Sequence, residues 1–420
     1  MRLTLITVGS QGDVQPCIAL GVGLKSHGHE VRVVTHADFK AAIESYGLGF
    51  SEVTGNPRGW LDSEEGLNWL ESGLNVVRFY RGLKRFLAPV LQSLPSYLPA
   101  CRGSEAILYC SLAIGGPHVG EKLGCPSFPL MLHPTYPTGE FPSLLAWSGK
   151  PRPRAYNLVT HFITEQTINL ATRSVVNRWR RKELGLPPEP LAGNVQRQRR
   201  RQVPHFLGYS QHVLPRPADW GENVHVTGYW FLPMHSDWQP PPAVVEFLQS
   251  GPPPVYVGFG SLSVRSPVEF TRLMVSALEM SGRRGLLSRG WGNLGGIPLP
   301  KTILKIDSIP HEWLFPQVAA VVHHGGCGTT AAGLRSGVPT ITIPFFADQF
   351  LWAERVMALG AGPASIPYAS LTAEKLAQAI RTATGDPAVR AAAQGVGSRL
   401  RAENGVENMV ASFERCLKRQ

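Results

Sequence analysis

The feature that most restricts the fold of this chain is a short pattern that occurs twice, once from residue 3 and again from residue 255. Leu3–Val8 is an apolar run without the two-residue alternation of a half-wet strand, as expected of a strand buried on both faces. Gly9-Ser-Gln-Gly12 turns, and Asp13 stands where a helix N-cap would, with Pro16 in the first turn. Ile18, Ala19, Val22 and Leu24 carry the helix to His27-Gly28-His29, and Val31–Thr35 opens a second strand. This is a βαβ unit, which predicts a parallel sheet with helices on both faces. The pattern restarts with a strand at Val255–Phe259, its turn at Gly260-Ser261 and a helix over 268–280. Apolar runs at 285–288, 302–306 and 319–322 and helices over 325–336 and 348–359 follow. Between the halves stand Pro215, Pro217, Pro233, Pro240-Pro-Pro242 and Pro252-Pro-Pro254, and such a run interrupts a ladder. The expected division is 1–220, a linker over 221–254, 255–404, and a terminal helix over 405–420.

With 43% hydrophobic and 17% charged residues in 420, the chain is too apolar for disorder and long enough for two cores. No run of ~18 apolar residues predicts a spanning helix. The start, Met1-Arg-Leu-Thr-Leu-Ile, lacks the marks of a signal peptide, so the expectation is a cytosolic protein beginning on a core strand. Six cysteines form no CxxC, and reduced thiols are expected. The net charge is +11, of which +9 lies between Lys150 and Arg201, where 12 Lys or Arg face only Glu165, Glu183 and Glu189. Interleaved aromatics and nucleic-acid motifs are missing beside it, so no nucleic-acid partner is expected. Gln196–Arg201 reads as a disordered, solvated loop.

The strongest chemical signal is His323-His-Gly-Gly-Cys-Gly-Thr-Thr330, where an apolar strand runs into three glycines and a helix. Open backbone N–H groups at a helix start form a cradle for phosphate, and His324 can add a donor to a diphosphate oxygen. The bland alternative is a tight turn that needs glycine, although a turn needs one, not three. No GK[ST] is present, so this is not a P-loop. A second strand, Val338–Pro344, ends in Phe345-Phe-Ala-Asp-Gln349, where a carboxylate and an amide stand together at a strand's C-terminal end. They suit adjacent sugar hydroxyls, or Asp348 is only a helix cap. The Gly9–Asp13 turn, with Asp38 after the second strand, lacks the Gly-x-Gly-x-x-Gly of a dinucleotide site.

HHGGCGTTAAGLRSGVPTITIPFFADQFLWAERVMALGAG resembles the donor-sugar signature of the UDP-glycosyltransferase superfamily. GSQGDVQPCIALGVGLKSHGHEVRVVTH resembles the opening of its sterol 3-β-glucosyltransferase branch and of related antibiotic-tailoring bacterial enzymes. PVYVGFGSL, GWGNL and IPHEWLFPQ fall between them in the family's order. The resemblance implies the α/β GT-B fold, two Rossmann-like domains facing across a cleft, with the acceptor on the first and the nucleotide sugar on the second. It places Asp13 on the catalytic base, with Ser10 beside it, and Gly12 among the contacts of the nucleotide sugar. Ser261, His324, Gly326, Gly328 and Thr329 fall on diphosphate contacts, Asp348 and Gln349 on the sugar, and Trp291 and the Ile309 backbone near the uracil. Asp307-Ser-Ile-Pro-His311 stands where the plant enzymes carry Trp-x-x-Gln, which leaves uridine and thymidine donors both open.

The resemblance thus implies an inverting, UDP-sugar-dependent transfer of a hexose, glucose first, to an apolar hydroxylated acceptor such as a sterol or polycyclic natural product. No cofactor is expected, and no metal, because the chain contains no Asp-x-Asp. The alternatives are a dTDP-sugar transferase acting on an antibiotic aglycone and a binding protein that has lost turnover. Residues 76–94 place Val76, Phe79, Tyr80, Leu83, Phe86, Val90, Leu91 and Leu94 at helical spacing, with Arg78, Arg81 and Arg85 alongside. A core helix explains that stripe, and so does peripheral contact with a membrane.

Overall fold

The computed structural model describes residues 1–55, 59, 63, 64, 66, 76–147, 149–290 and 294–418, without the side chains of 76–81 and 84. Two all-parallel sheets carry the fold. In the first, β1 (Arg2–Ile6), β2 (Glu30–Thr35), β3 (Gly49–Glu52), β4 (Ala106–Cys110), β5 (Ser127–Met131), β6 (His205–Leu207) and β7 (Val224–Val226) lie in the order β3-β2-β1-β4-β5-β6-β7. In the second, β8 (Val255–Val257), β9 (Gly285–Ser288), β10 (Ile303–Ile306), β11 (Ala320–His323) and β12 (Thr340–Thr342) lie in the order β10-β9-β8-β11-β12. Strand order reverses between β1 and β4 and again between β8 and β11. Loops leaving the C-terminal ends of strands at such a reversal splay apart and open a crevice. The predicted turns after β1, β8 and β11 all lie at these two points.

The helices follow from the same pattern. Helix α1 (Gln11–Ser26) covers the first sheet, burying Val14, Cys17, Ile18, Leu20 and Leu24. Helix α2 (Val76–Leu91) buries Leu83, Leu87, Val90 and Leu91 in the core. The described part of the 76–94 stripe is therefore a core helix. Its Arg78, Arg81, Phe79 and Tyr80 side chains lie outside the described residues. Helix α3 (Arg154–Trp179) and α4 (Gly193–Arg200) follow.

Helix α4 corrects the disordered loop expected at 196–201. Arg199 meets both oxygens of Glu165 at 2.7 and 2.8 Å, Arg197 meets Glu121 at 2.9 Å, and buried Gln198 donates to the Tyr109 hydroxyl at 2.5 Å. Partners distant in sequence order a segment whose local composition reads as solvated. The expected linker 221–254 also contributes structure: β7 falls in its proline-free stretch and completes the first sheet.

In the second half, α5 (Pro267–Ser281) packs on α6, which is Ala373–Gly385 and lies on the same face. Two shorter helices, Cys327–Ser336 and Gln349–Ala358, start at the second crevice. The terminal helix, Gly405–Leu417, returns to the first sheet and packs against α1. Its Phe413 stands edge-on to Phe128 of β5 at 5.4 Å between ring centres. Among the described residues no helix is long and apolar enough to cross a membrane.

Candidate active site

The turn after β1 is built around one carboxylate. Gly9 takes φ +139°, a conformation that favours glycine, and a Cβ there would collide with Asp13 Oδ2. Ser10, not Asp13, is the N-cap of α1, and Asp13 sits three residues on, reaching back. Its Oδ2 accepts from Ser10 N at 2.8 Å and Ser10 Oγ at 3.2 Å. This capping box stabilises a negative charge at the positive end of the helix. Burial nevertheless raises the Asp13 carboxyl above its ordinary range, opposed by the Ser10 donors and by His133, while nearby Asp348 raises it further. Gly12 is exposed, and a Cβ there would meet only Ser10 Oγ at 3.6 Å.

The second crevice supplies a cradle. Gly325 takes φ +87°, Gly326 caps the helix Cys327–Ser336, and a Cβ on Gly326 would collide with His324 Nε2. The N–H groups of Cys327, Gly328 and Thr329 in the first turn point out of the helix end, as helix geometry demands. Gly328 is exposed, and a Cβ there would meet nothing, so packing does not require glycine at that place. Within His323–Thr330 three buried side-chain atoms have no partner, His323 Nε2, His324 Nδ1 and Thr330 Oγ1. His323 Nδ1 accepts from Gly325 N at 2.9 Å, so in the neutral ring its Nε2 carries the proton and is a donor without a partner. A buried donor left unpaired costs free energy. Gly260, in the turn that carries Ser261, approaches His324: a Cβ there would lie 3.7 Å from its Cε1. The β8 and β11 loops thus face one space.

Asp348 holds the N-cap position of the helix Gln349–Ala358, yet its side chain makes no cap. Its Oδ2 instead accepts from Trp352 Nε1 at 3.1 Å and lies 3.3 Å from His133 Nδ1. Gln349 is buried, and its Oε1 accepts from Phe345 N at 2.8 Å and Phe346 N at 3.3 Å. Only its amide nitrogen is left for a ligand. Gln349→Asn withdraws that acceptor and should cost ~1–3 kcal/mol of folding stability, measured by urea unfolding. A loss confined to sugar affinity, with stability unchanged, would show that the two backbone bonds carry no weight. Ile309 is buried in an apolar cluster that includes Phe315. Trp291 lies outside the described residues.

His133 escaped the reading of the sequence. It follows β5 at the C-terminal end of a strand of the first sheet, and that position was the available signal. Its ring reaches the Asp348 carboxylate across the cleft, and Cys327 Sγ donates to the neighbouring Leu132 carbonyl at 3.3 Å. Two further contacts join the halves: Trp147 Nε1 to Glu354 Oε2 at 2.7 Å and Arg355 Nε to the Val213 carbonyl at 2.8 Å. Asp13, His133, Cys327 and Asp348 therefore share one electrostatic environment, and burial first, then Asp348 and Asp13, push the Cys327 thiol up.

The imidazoles make stability depend on pH. Burial lowers His324 and His311 to about 4, His161 and His205 to about 4, and His118 to about 3; it also lowers His36 and His323. Unfolding returns each toward 6.5, so between those values and 6.5 the unfolded chain binds more protons and stability falls as pH drops. Asp13, Glu165, Glu189 and Glu403, raised by burial, and His27, raised by the Gly23 carbonyl, act in the opposite sense but are fewer. The urea midpoint should be lower at pH 5 than at pH 7. An equal or higher midpoint at pH 5 would mean that these rings are charged in the folded protein.

Residues 3–142 match the glycosyltransferase family 28 N-terminal domain, and residues 294–413 match the erythromycin biosynthesis protein CIII-like C-terminal domain. Two sterol 3-beta-glucosyltransferases of Arabidopsis thaliana are 37% and 35% identical to the chain over 98% and 99% of its length. The chain covers 65% and 68% of those relatives, and 27% of a 37% identical sterol 3-beta-glucosyltransferase of Cryptococcus neoformans. In structure it is similar to the glycosyltransferase of kitacinnamycin (TM-score 0.70, 21% identity, covering 99% of this chain and 98% of that one). It is also similar to the glycosyltransferase VinC, solved in complex with dTDP (TM-score 0.66, 18% identity, 100% of both chains). The two facing Rossmann-like halves are the GT-B fold, and the chain belongs to the glycosyltransferase family of the sterol 3-beta-glucosyltransferases.

Proposed function

We propose that this chain is an inverting glycosyltransferase that moves a hexose, glucose first, from a UDP-sugar to a hydroxyl of an apolar acceptor such as a sterol or polycyclic natural product. One observation carries the reading. A half-buried carboxylate on one sheet's switch point shares a cleft with a donor-rich helix start on the other. Asp13 takes the acceptor's proton as its oxygen attacks the anomeric carbon. Burial raises the basicity of this carboxylate, though it remains far below an alcohol, so the proton moves late, as the new bond forms. Charge growing on the departing diphosphate meets His324, Ser261 and the N–H groups at Gly328 and Thr329, dipoles already aimed when the reaction starts. Asp348 and the Gln349 amide hold the sugar hydroxyls. Gly12 leaves room for the acceptor beside Ser10.

No cofactor takes part, and catalysis needs no metal. Among the described residues no three His, Cys, Asp or Glu side chains converge as a metal site, and the chain has no Asp-x-Asp. Turnover should persist in EDTA; complete loss that Mg²⁺ or Mn²⁺ restores would sink the metal-free mechanism. The dTDP held by one structural relative supports a second reading, a transferase that uses a dTDP-sugar. A screen of UDP- and dTDP-sugars against sterols, polycyclic aglycones and hydrophilic sugars, read by product mass, tests both. Product from hydrophilic acceptors alone would remove the apolar acceptor, and donor binding without product would leave a non-catalytic binding protein. The reading extends to an acceptor taken from a membrane surface, where the enzyme works peripherally, since an apolar alcohol of this kind partitions out of water.

A further inference from the structure

Helix α3 is built inside out. Over its first three turns the residues facing the protein are polar, and each is engaged with the loop before it. Asn157 Nδ2 donates to the Gly139 carbonyl at 2.9 Å, Thr160 Oγ1 accepts from Ser143 N at 3.0 Å, and Thr164 Oγ1 meets Ser143 Oγ at 2.7 Å. Its outward residues are apolar: Tyr156 is 43% exposed, Val159 53%, Phe162 54%, Ile163 49% and Leu170 69%. The next segment extends the patch, for Asn169 Nδ2 holds the Leu191 carbonyl at 3.0 Å and leaves the Leu191 side chain 80% exposed. Scattered exposed apolar residues are ordinary, but a contiguous patch marks a contact surface. Here ten of the fifteen large apolar residues exposed among the described residues fall within 156–195.

We infer that this outer face of α3, with Leu191 beside it, is a docking surface for a bilayer containing anionic phospholipid. The charges around it choose that occupant. Of the three acids in 150–201, Glu165 is locked by Arg199 and Glu189 is buried, so Glu183 is the one exposed acid in the segment. Eight Lys or Arg are exposed in the same stretch, Lys150, Arg152 and Arg154 at one end of α3, of which Arg154 lies 3.4 Å from Asp219, and Arg178, Arg181 and Lys182 at the other. Apolar side chains flanked at both ends by cations fit the acyl boundary and headgroups of an anionic leaflet, and a helix of this kind lies in the interface plane. A protein partner of opposite charge would meet the same cations, but among the apolar side chains of this face only the Tyr156 hydroxyl and the half-buried Gln166 and Thr167 stand ready to pair with one. The inference deepens the reading of a membrane-held acceptor and rests on it for its purpose, while its test involves no turnover.

The test is sedimentation of the full chain with extruded vesicles of phosphatidylcholine, pure or mixed with phosphatidylglycerol. The chain should pellet with the mixed vesicles, bind pure phosphatidylcholine at least tenfold more weakly, and be released by salt. Phe162→Ser with Leu170→Ser, and separately Arg152→Glu with Arg178→Glu, should each weaken binding at least tenfold. All four side chains are exposed, and the urea midpoint of each variant reports whether it folds. Binding that ignores both pairs of substitutions would overturn the proposal, as would no preference for phosphatidylglycerol. A dimer in sedimentation velocity that Phe162→Ser dissociates would show a second copy on this face instead. A raised KM for a water-soluble acceptor, with vesicle binding intact, would make the face a wall of the acceptor site. Vesicle binding lost in the variants while soluble-acceptor turnover stays normal supports the surface whatever the acceptor proves to be.

Discussion

Asp13→Asn should lower kcat by ~10²–10⁴, the usual weight of a general base, with donor affinity nearly intact. The substitution is chosen because it separates chemistry from structure. Asparagine keeps the shape, and its oxygen can still accept from Ser10 N, so the capping box at the start of α1 survives in part. What is lost is a group that can take a proton from an alcohol. The acid limb of kcat/KM in the unsubstituted protein should lie above the ordinary aspartate range, since burial raises this carboxyl, and activity should fall as pH drops through it. Pre-steady-state UDP release with a saturating acceptor measures the first effect. Near-normal kcat in the asparagine variant would reduce Asp13 to a helix-capping residue. His133→Asn offers a companion measurement: removal of a group that favours the Asp13 anion should move the acid limb upward, which loss of packing alone would not do.

Phe413→Ala should cost ~3–5 kcal/mol of stability, the range for truncating a buried phenylalanine. The ring is fully buried, 5.4 Å from Phe128 and 6.2 Å from Phe206 between ring centres, with Met409 and Val410 packed into the same core. Helix α1 comes close beneath it, since a Cβ on Gly23 would collide with Val406 of the terminal helix. A cavity at Phe413 therefore loosens the support of the helix that carries Asp13. Chemical unfolding should show the loss, with the transition that includes the first sheet moving to lower denaturant. A change below ~1 kcal/mol would mean that the terminal helix packs too loosely to brace the first sheet.

Much of the local structure is legible in the residues themselves. Leu3–Val8 and Val255–Phe259 announce buried strands because strands covered on both faces lack alternation; β8 lies inside the second run, and β1, which begins at Arg2, overlaps the first from Leu3 to Ile6. The cradle is legible at Gly325 and Gly326 because a strand that turns at once into a helix needs a positive φ and a missing side chain at defined places. The cap is only half legible. Ser10 and Asp13 are both capping residues, and which one takes which role depends on where α1 begins, a boundary that local preference leaves open by a residue or two. Helix α3 is not legible at all: its apolar residues sit at helical spacing, yet hydrophobic spacing does not say which side faces water when the buried side is satisfied by hydrogen bonds to a neighbouring loop.

The order of residues is enough to read the two strand–turn–helix units, the glycine turn before the helix Cys327–Ser336 and the carboxylates at the strand ends, because backbone conformation and burial of a strand depend on neighbours a few positions away. Only the tertiary structure decided that His133 meets Asp348, that Arg199 pairs with Glu165, and that the last helix closes the first core, where His29 stands 3.3 Å from Glu414, 385 positions along the chain. Those contacts form where two sheets and their loops come together. They depend on distance in space, which a linear order of residues does not carry until the sheets have set it.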